Sequence, residues 1–290
     1  MRFETPLLIV VGFALSAGVG ALIRPHKTAY AAAPPPLAVE PFDPLPPVID
    51  PEPPTDRQLE KPWREEDVIR AGEAFIWRPS DGLDMWLPST YSVGEDHPYA
   101  VSFKTDNVRI RGDELQLIFN PRDMTGGEIQ SHEVFGHGTY TSIFRPSKGK
   151  GTVSAFFAYA HKWQGLDTHN EIDFEWFGSR PNEVELNWFR DGQSAAPFHG
   201  IVEVDRDMTD GFARYTFVWT PTSIIWLKNG QKIFETRDHL PRGPLGVFAS
   251  QWTGKERIQS WHGELDVKRE VAADVRCISF VPLGETGPSC

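Results

Sequence analysis

The chain has 290 residues, 40% of them hydrophobic and 12% aromatic, with ten tryptophans. That length holds one large β-domain or two small ones with a sizeable core. A formal net charge of −11 with no basic run argues against a nucleic-acid partner, because phosphate binding needs clustered Lys and Arg.

The N-terminus carries Arg2, an apolar run of 17 residues (Leu7–Ile23) and a small-residue Ala29-Tyr30-Ala31 site. This pattern predicts export, with residues 1–33 acting as a secretory signal peptide or as an uncleaved N-terminal anchor. No second apolar run of that length follows, so no other membrane contact is expected. The exported product is expected in the periplasm or outside the cell. Residues 34–54 contain ten prolines, a composition that favours extended polyproline and makes 34–65 a semi-rigid spacer. A globular domain is expected over 66–283, followed by a short tail, 284–290.

Within the domain, REEDVIRAGEA (64–74) carries the best helix signal, and everything after it alternates. VSFKTDNVRIRGDELQLIF (101–119) reads as two strands about a Gly112-Asp113 turn. Further strands are predicted at 138–146, 151–160, 170–177, 183–189, 213–220, 223–235, 244–252 and 274–282, with Asn229-Gly230 as a two-residue hairpin turn. Many short strands with frequent turns specify an all-β, antiparallel β-sandwich or barrel. The two cysteines, Cys277 and Cys290, either pair in an oxidising compartment or leave Cys277 as a buried thiol in its strand.

NEIDFEWF (170–177) places Glu171, Asp173 and Glu175 at every second position, with Ile172, Phe174 and Trp176 between them. On a strand, alternate residues share a face. The acids therefore point one way and the apolar residues into the core. In EVELNWF (183–189), Val184, Leu186 and Trp188 are expected inward, and Glu185, Asn187 and Phe189 on the acid face. Phe157 and Tyr159 are expected on that same face, opposite Phe156.

Three readings fit aligned acids. One is a solvated strand face. Another is a calcium site, which a straight strand serves poorly. The third is glycoside hydrolysis, which needs one carboxylate to attack the anomeric carbon and one carboxylic acid to protonate the leaving oxygen. Crowded carboxylates raise one another's pKa, so one stays protonated near neutrality. Positions four residues apart on a strand are ~13 Å apart at Cα, so a retaining pair must lean together across a concave sheet.

EIDFE (171–175) resembles the E-[IVL]-D-x-E signature of glycoside hydrolase family 16, the β-jelly-roll endoglucanases. The likeness extends to FGHGTYTSIFRPSKG (135–149), GTVSAFFAYA (151–160), EVELNWFRDGQ (183–193) and YTFVWTPTSIIWLKNGQKIF (215–234), five ordered motifs within residues 98–282. The resemblance implies a concanavalin A-like jelly roll with a concave substrate cleft. It implies Glu171 as nucleophile, Glu175 as general acid/base and Asp173 as the group that orients the nucleophile. The implied reaction is retaining hydrolysis of a β-1,3-1,4-glucan or a bacterial exopolysaccharide by a monomer, with transglycosylation as the alternative on the same site. A non-catalytic carbohydrate-binding sandwich is the alternative of a different class, disfavoured because both glutamates are present.

Trp252 and Trp261 resemble paired tryptophans that stack on glucosyl rings, with core packing as the ordinary role for each. Asn187, Glu128 and Phe157 sit where the family contacts sugar. His169 shares strand parity with the acids, although a structural role is the default for it and for His137. The chain departs from the lichenase pattern with His169-Asn170 before the first Glu and with Gln130 in place of the Arg of Glu-x-Arg. No cofactor is expected. The family's structural calcium is not supported, because Arg276 stands at the best-matching position and Asp274 and Asp266 are out of register.

Overall fold

The computed structural model describes residues 71–95, 97–160, 169–194, 200–204 and 206–290. The apolar N-terminal run, the proline-rich spacer and most of the helix expected at 64–74 lie outside these; residues 71–74 are not helical. Among the described residues no helix is long and apolar enough to cross a membrane.

Among the described residues, period-two alternation builds two sheets. One has eight strands, in the order β15 (Gln231–Thr236), β14 (Ser223–Lys228), β13 (Ala213–Thr220), β7 (Gly138–Arg145), β17 (Val271–Pro282), β5 (Glu114–Phe119) and β4 (Val108–Arg111), with β1 (Phe75–Trp77) also paired to β17. The other has nine strands. Its order is β11 (Gln193–Ser194), β10 (Glu183–Arg190), β9 (Asn170–Phe177), β8 (Thr152–Ala160), β16 (Leu245–Thr253), β6 (Thr125–Phe135) and β2 (Trp86–Pro88). There β12 (Gly200–Glu203) pairs with β10, and β3 (Ser102–Phe103) pairs with β6. The β3–β6 pairing is parallel; the other paired strands are antiparallel, as expected for a sandwich.

Between the sheets lies one apolar layer. Ile172, Phe174 and Trp176 from β9, Val184, Leu186 and Trp188 from β10, and Phe217, Trp219 and Trp226 from the facing sheet are all fully or almost fully buried. Each such large side chain stabilises the fold by ~1.5–3 kcal/mol. The Trp226 indole N–H crosses the layer and donates to the Asp173 carbonyl at 3.0 Å, which fixes the middle of β9.

The two-residue turn at Asn229-Gly230 forms as expected, with φ of 50° and 81°, the left-handed pair a tight hairpin requires. In the segment 101–119 the hairpin about Gly112-Asp113 forms between β4 and β5, but its first strand begins only at Val108. A short 3-10 turn at Thr105–Asn107 separates β3 from β4 and carries the chain from one sheet to the other. Buried Asn107 stabilises that crossing by donating to Gly126 O and Thr125 Oγ1. The 11-residue β6 has no counterpart among the expected strands. Its buried residues include Glu128, Gln130 and Ser131, so apolar–polar alternation is absent there. Gly127 is required by close approach, since a Cβ would lie 2.4 Å from Asn107 O.

Cys277 and Cys290 form a disulfide. Residues 284–290 are therefore not a free tail. Cys290 N also donates to Ser279 Oγ at 3.0 Å. The bond links residues 13 apart in sequence, and closing a loop of that size stabilises by about 3 kcal/mol through the unfolded chain. The double variant Cys277→Ser, Cys290→Ser is expected to lose stability of that order in guanidinium unfolding. An unchanged midpoint would show that non-covalent contacts alone hold the tail.

Candidate active site

The acids stand on the face of the nine-stranded sheet opposite the core. Strand register sets three rows across it. Glu185, Glu175, Ala155, Ser250 and Glu128 form one row. Asn187, Asp173, Phe157, Phe248 and Gln130 form the second, and Phe189, Glu171, Tyr159 and Gly246 the third. Phe157, Tyr159, Glu185, Asn187 and Phe189 thus share the acid face, as strand parity predicts.

Exposure differs along β9. Asp173 is buried at 3%, whereas Glu171 and Glu175 on either side are only partly buried. Reaction partners can therefore meet the outer two while the middle one is sealed. Burial raises the Asp173 carboxyl well above the usual range, and the charges of Glu171 and Glu175, a hydrogen bond to Glu171 and the charge of Glu185 push it the same way. One of its oxygens, Oδ2, is buried without a hydrogen-bond partner. Glu175 is also raised well above the usual range, first by desolvation, then by the charges of Glu185 and Glu171.

His169 belongs to this centre. Its Nε2 lies 2.5 Å from Glu171 Oε2, and its ring stacks on Phe189 at 4.4 Å and leans on Tyr159 at 5.1 Å. Two aromatic rings thus hold the imidazole against the first glutamate. His137, by contrast, packs on Trp219 in a buried setting, and its pKa is lowered to about 4 by desolvation.

Glu128 is 1% exposed. Its Oε1 accepts from Ser89 Oγ at 2.6 Å and from Tyr91 OH at 3.1 Å. Burial raises its pKa to about 7, the two hydrogen bonds oppose this, and the Glu171 charge adds to it. This carboxyl is a buried hub at the edge of the face, satisfied by the protein itself. Phe157 is stacked on Phe248 at 5.0 Å and is 7% exposed, forming the floor beside Asp173. Asn187 Oδ1 accepts from the Trp188 amide at 3.0 Å, which leaves its NH2 end, directly opposite Asp173, as a donor.

The two tryptophans separate. Trp252 does not offer a face for stacking: it is 3% exposed, with Tyr99 at 4.1 Å and Phe103, Val153 and Phe177 in the same cluster. A loop that alternation could not foresee lays Tyr99 over it. Trp261 remains partly exposed on a short helical turn, Gln259–His262. Its indole N–H donates to Glu185 Oε2 at 2.5 Å. Tyr99 is held far above its ordinary pKa by burial and then by Glu171, Glu128, Glu175 and Asp173, so it stays a neutral phenol near all four acids.

Sequence reasoning placed Glu185 and Tyr159 on the face without assigning them to the site. It had no signal for Ser89, Tyr91 and Tyr99, which reach the face from irregular chain. The β17 residues considered for calcium do not fit that ion. Asp274 is held by Arg145 at 2.8 Å and by Gln116 at 3.0 Å, and Arg276 reaches Glu114 at 2.7 Å. Cations stand where a calcium site needs anions.

The model of glycosyl hydrolases family 16 matches residues 95–270. The beta-glucanase of Brevibacillus brevis is 28% identical over 50% of this chain and 55% of its own length. For the endo-1,3-1,4-beta-glycanase ExoK of Rhizobium meliloti the figures are 30%, 57% and 60%. The chain thus spans less than two thirds of either relative, whereas for the beta-glucanase of Bacillus subtilis the match is 31% identical over 68% and 77%. Among solved structures, the Bacillus licheniformis beta-glucanase superposes with a TM-score of 0.67 at 24% identity, over 72% of this chain and 98% of that one. That likeness carries the fold, the jelly-roll sandwich. Together with the family match over the whole acid-bearing region, it establishes that the chain belongs to glycosyl hydrolases family 16.

Proposed function

We propose that the protein is an exported endo-β-glycosidase that hydrolyses a β-glucan or a related exopolysaccharide with retention of configuration. One observation carries this reading: a single strand face presents Glu171 and Glu175 partly exposed, with buried Asp173 between them. The names of the relatives support a β-glucan substrate. Five carboxyl groups on one face (Glu128, Glu171, Asp173, Glu175 and Glu185) favour an uncharged glycan over an anionic one. Phe189, Tyr159 and Trp261 supply flat apolar rings of the kind that pack against sugar faces. Export is supported by the N-terminal run and by the disulfide, which needs an oxidising compartment.

In the first step the Glu171 carboxylate attacks the anomeric carbon while Glu175 gives its proton to the glycosidic oxygen, and the C–O bond breaks. Asp173, held protonated by burial, donates to Glu171 and fixes its orientation. His169 secures the other side of the same carboxyl. Once Glu171 is an ester its charge is gone. One of the charges that raise Glu175 then disappears, so Glu175, a carboxylate since it gave up its proton, stays ionised and serves as the base that takes a proton from water. Water displaces the sugar from Glu171, and the β-configuration returns.

Product analysis on lichenan, laminarin, xyloglucan, agarose and an acidic exopolysaccharide tests the substrate. Cleavage of a neutral β-glucan is expected, with the β-anomer appearing first in proton NMR. An initial α-product would overturn retention, and oligomers longer than the substrate would make the protein a transglycosylase. Glu175→Gln is expected to lower activity by about 10²–10⁴-fold on natural linkages, with much less effect on a dinitrophenyl glycoside, whose leaving group needs no proton. Glu171→Gln should abolish activity on both. Full activity in either variant would contradict the assignment.

The buried acids also tie stability to pH. Glu128 titrates at about 7 in the folded chain against an ordinary 4.5. Its folded-state pKa is raised, so its contribution is complete below pH 4.5 and is lost as pH rises through 7. The loss is roughly 3 kcal/mol. Urea unfolding at pH 5 and pH 8 is expected to show a smaller decline for Glu128→Gln than for the wild type by about that amount. Equal declines would contradict the account of this group.

A further inference from the structure

Glu185 has no place in the mechanism above, yet it is 3% exposed and sits directly across the β9–β10 pairing from Glu175. Side chains facing each other in this way have Cβ atoms ~4.5–5.5 Å apart, and like charges there are destabilising. A buried carboxyl opposite another needs a reason to stay. The structure holds Glu185 in place from outside the sheet. The Trp261 indole, which can only donate, delivers its N–H to Glu185 Oε2 at 2.5 Å. Trp261 is fixed in turn, edge-on to Phe177 at 5.0 Å and alongside Trp252 at 5.9 Å. Glu185 is thus an acceptor clamped by a rigid donor and aimed at the neighbourhood of Glu175.

We propose that Glu185 is a positioning residue for Glu175: a fixed negative charge, clamped by Trp261, that sets the alkaline limit of the proton-transfer step. The proposal rests on the reading of Glu175 as general acid/base. The other groups facing Glu175 leave this task to Glu185. Asp173 and Glu171 flank it on its own strand, and β8 opposes it with Ala155, which carries no charge. Tyr99 is a neutral phenol. The charge of Glu171 disappears when the glycosyl-enzyme forms, and burial with its acidic neighbours favours the neutral form of Asp173. Glu185 takes part in no bond change in either step and keeps its place opposite Glu175 throughout. Its influence on Glu175 ranks directly after desolvation and ahead of Glu171. In the first step it favours the protonated acid that delivers its proton to the glycosidic oxygen.

The test is Glu185→Gln, which keeps the shape and leaves an oxygen for the Trp261 N–H, compared with Glu185→Asp, which keeps the charge. Two readouts are needed. The Glu175 carboxyl is titrated by NMR with 13C-labelled glutamate, assigned by its absence in Glu175→Gln. The pH profile of kcat/KM is recorded on a neutral β-glucan and on a dinitrophenyl oligoglucoside. For Glu185→Gln the Glu175 midpoint and the alkaline limb on the polysaccharide are expected to fall together by about one to two pH units. Activity one unit above the wild-type limb then drops about tenfold or more, the limb on the dinitrophenyl substrate stays in place, and Glu185→Asp restores part of the shift. An unchanged midpoint, or a uniform loss at every pH with both substrates, overturns the proposal and leaves Glu185 structural. A midpoint that falls while the polysaccharide limb stays fixed instead overturns the reading of Glu175 as the acid.

Discussion

Everything at the site follows from one constraint: a strand must send alternate residues to opposite faces. With Ile172, Phe174 and Trp176 locked in the core at 1% exposure or less, Glu171, Asp173 and Glu175 have no choice but to share the other side. Burying three large apolar side chains stabilises by several kcal/mol, more than the repulsion of partly solvated acids removes. Where solvent is lost as well, burial disfavours the charged form, and the carboxyls of Asp173 and Glu128 are raised above their ordinary pKa. The asymmetry of the row is a consequence of packing. The middle acid is sealed, and the outer two are partly exposed.

The surrounding residues turn that crowding into order. Trp226 pins the Asp173 carbonyl from beneath. His169, wedged between Phe189 and Tyr159, meets Glu171 at one end of the row. Trp261 and Glu185 do the corresponding work at the other end, near Glu175. Each glutamate thus has its own buried neighbour, and the two neighbours are chemically different. With an imidazole beside Glu171 and a carboxyl beside Glu175, the two ends of the row differ chemically.

What could be read from the sequence was what alternation encodes. The limits of β9 and β13 match the apolar–polar pattern to the residue, and the parity of 183–189 placed Glu185, Asn187 and Phe189 correctly. The Asn229-Gly230 turn was legible because few residues accept positive φ. β6 was not, because it buries Glu128 and Gln130 on the acid face and needs glycine where chains touch. The loops were illegible for a related reason. Tyr91 and Tyr99 reach the site from segments without periodicity, and their partners, Glu128 and Trp252, are far away in sequence. Trp252 resembles one of a pair of sugar-stacking tryptophans, with core packing as its other role, and only the fold shows Tyr99 lying over it. Trp261 bonds to Glu185 76 residues away, a contact that no local pattern announces.

The central claim is that Glu171, and neither of its two neighbouring acids, forms a covalent bond to the sugar. A 2-fluoro oligoglucoside with a dinitrophenolate leaving group slows the second step and lets the intermediate accumulate. Peptide mass spectrometry of the trapped protein should place one glycosyl group on Glu171. A label on Asp173 or Glu175, or turnover of natural substrate with no labelling under any condition, would contradict it.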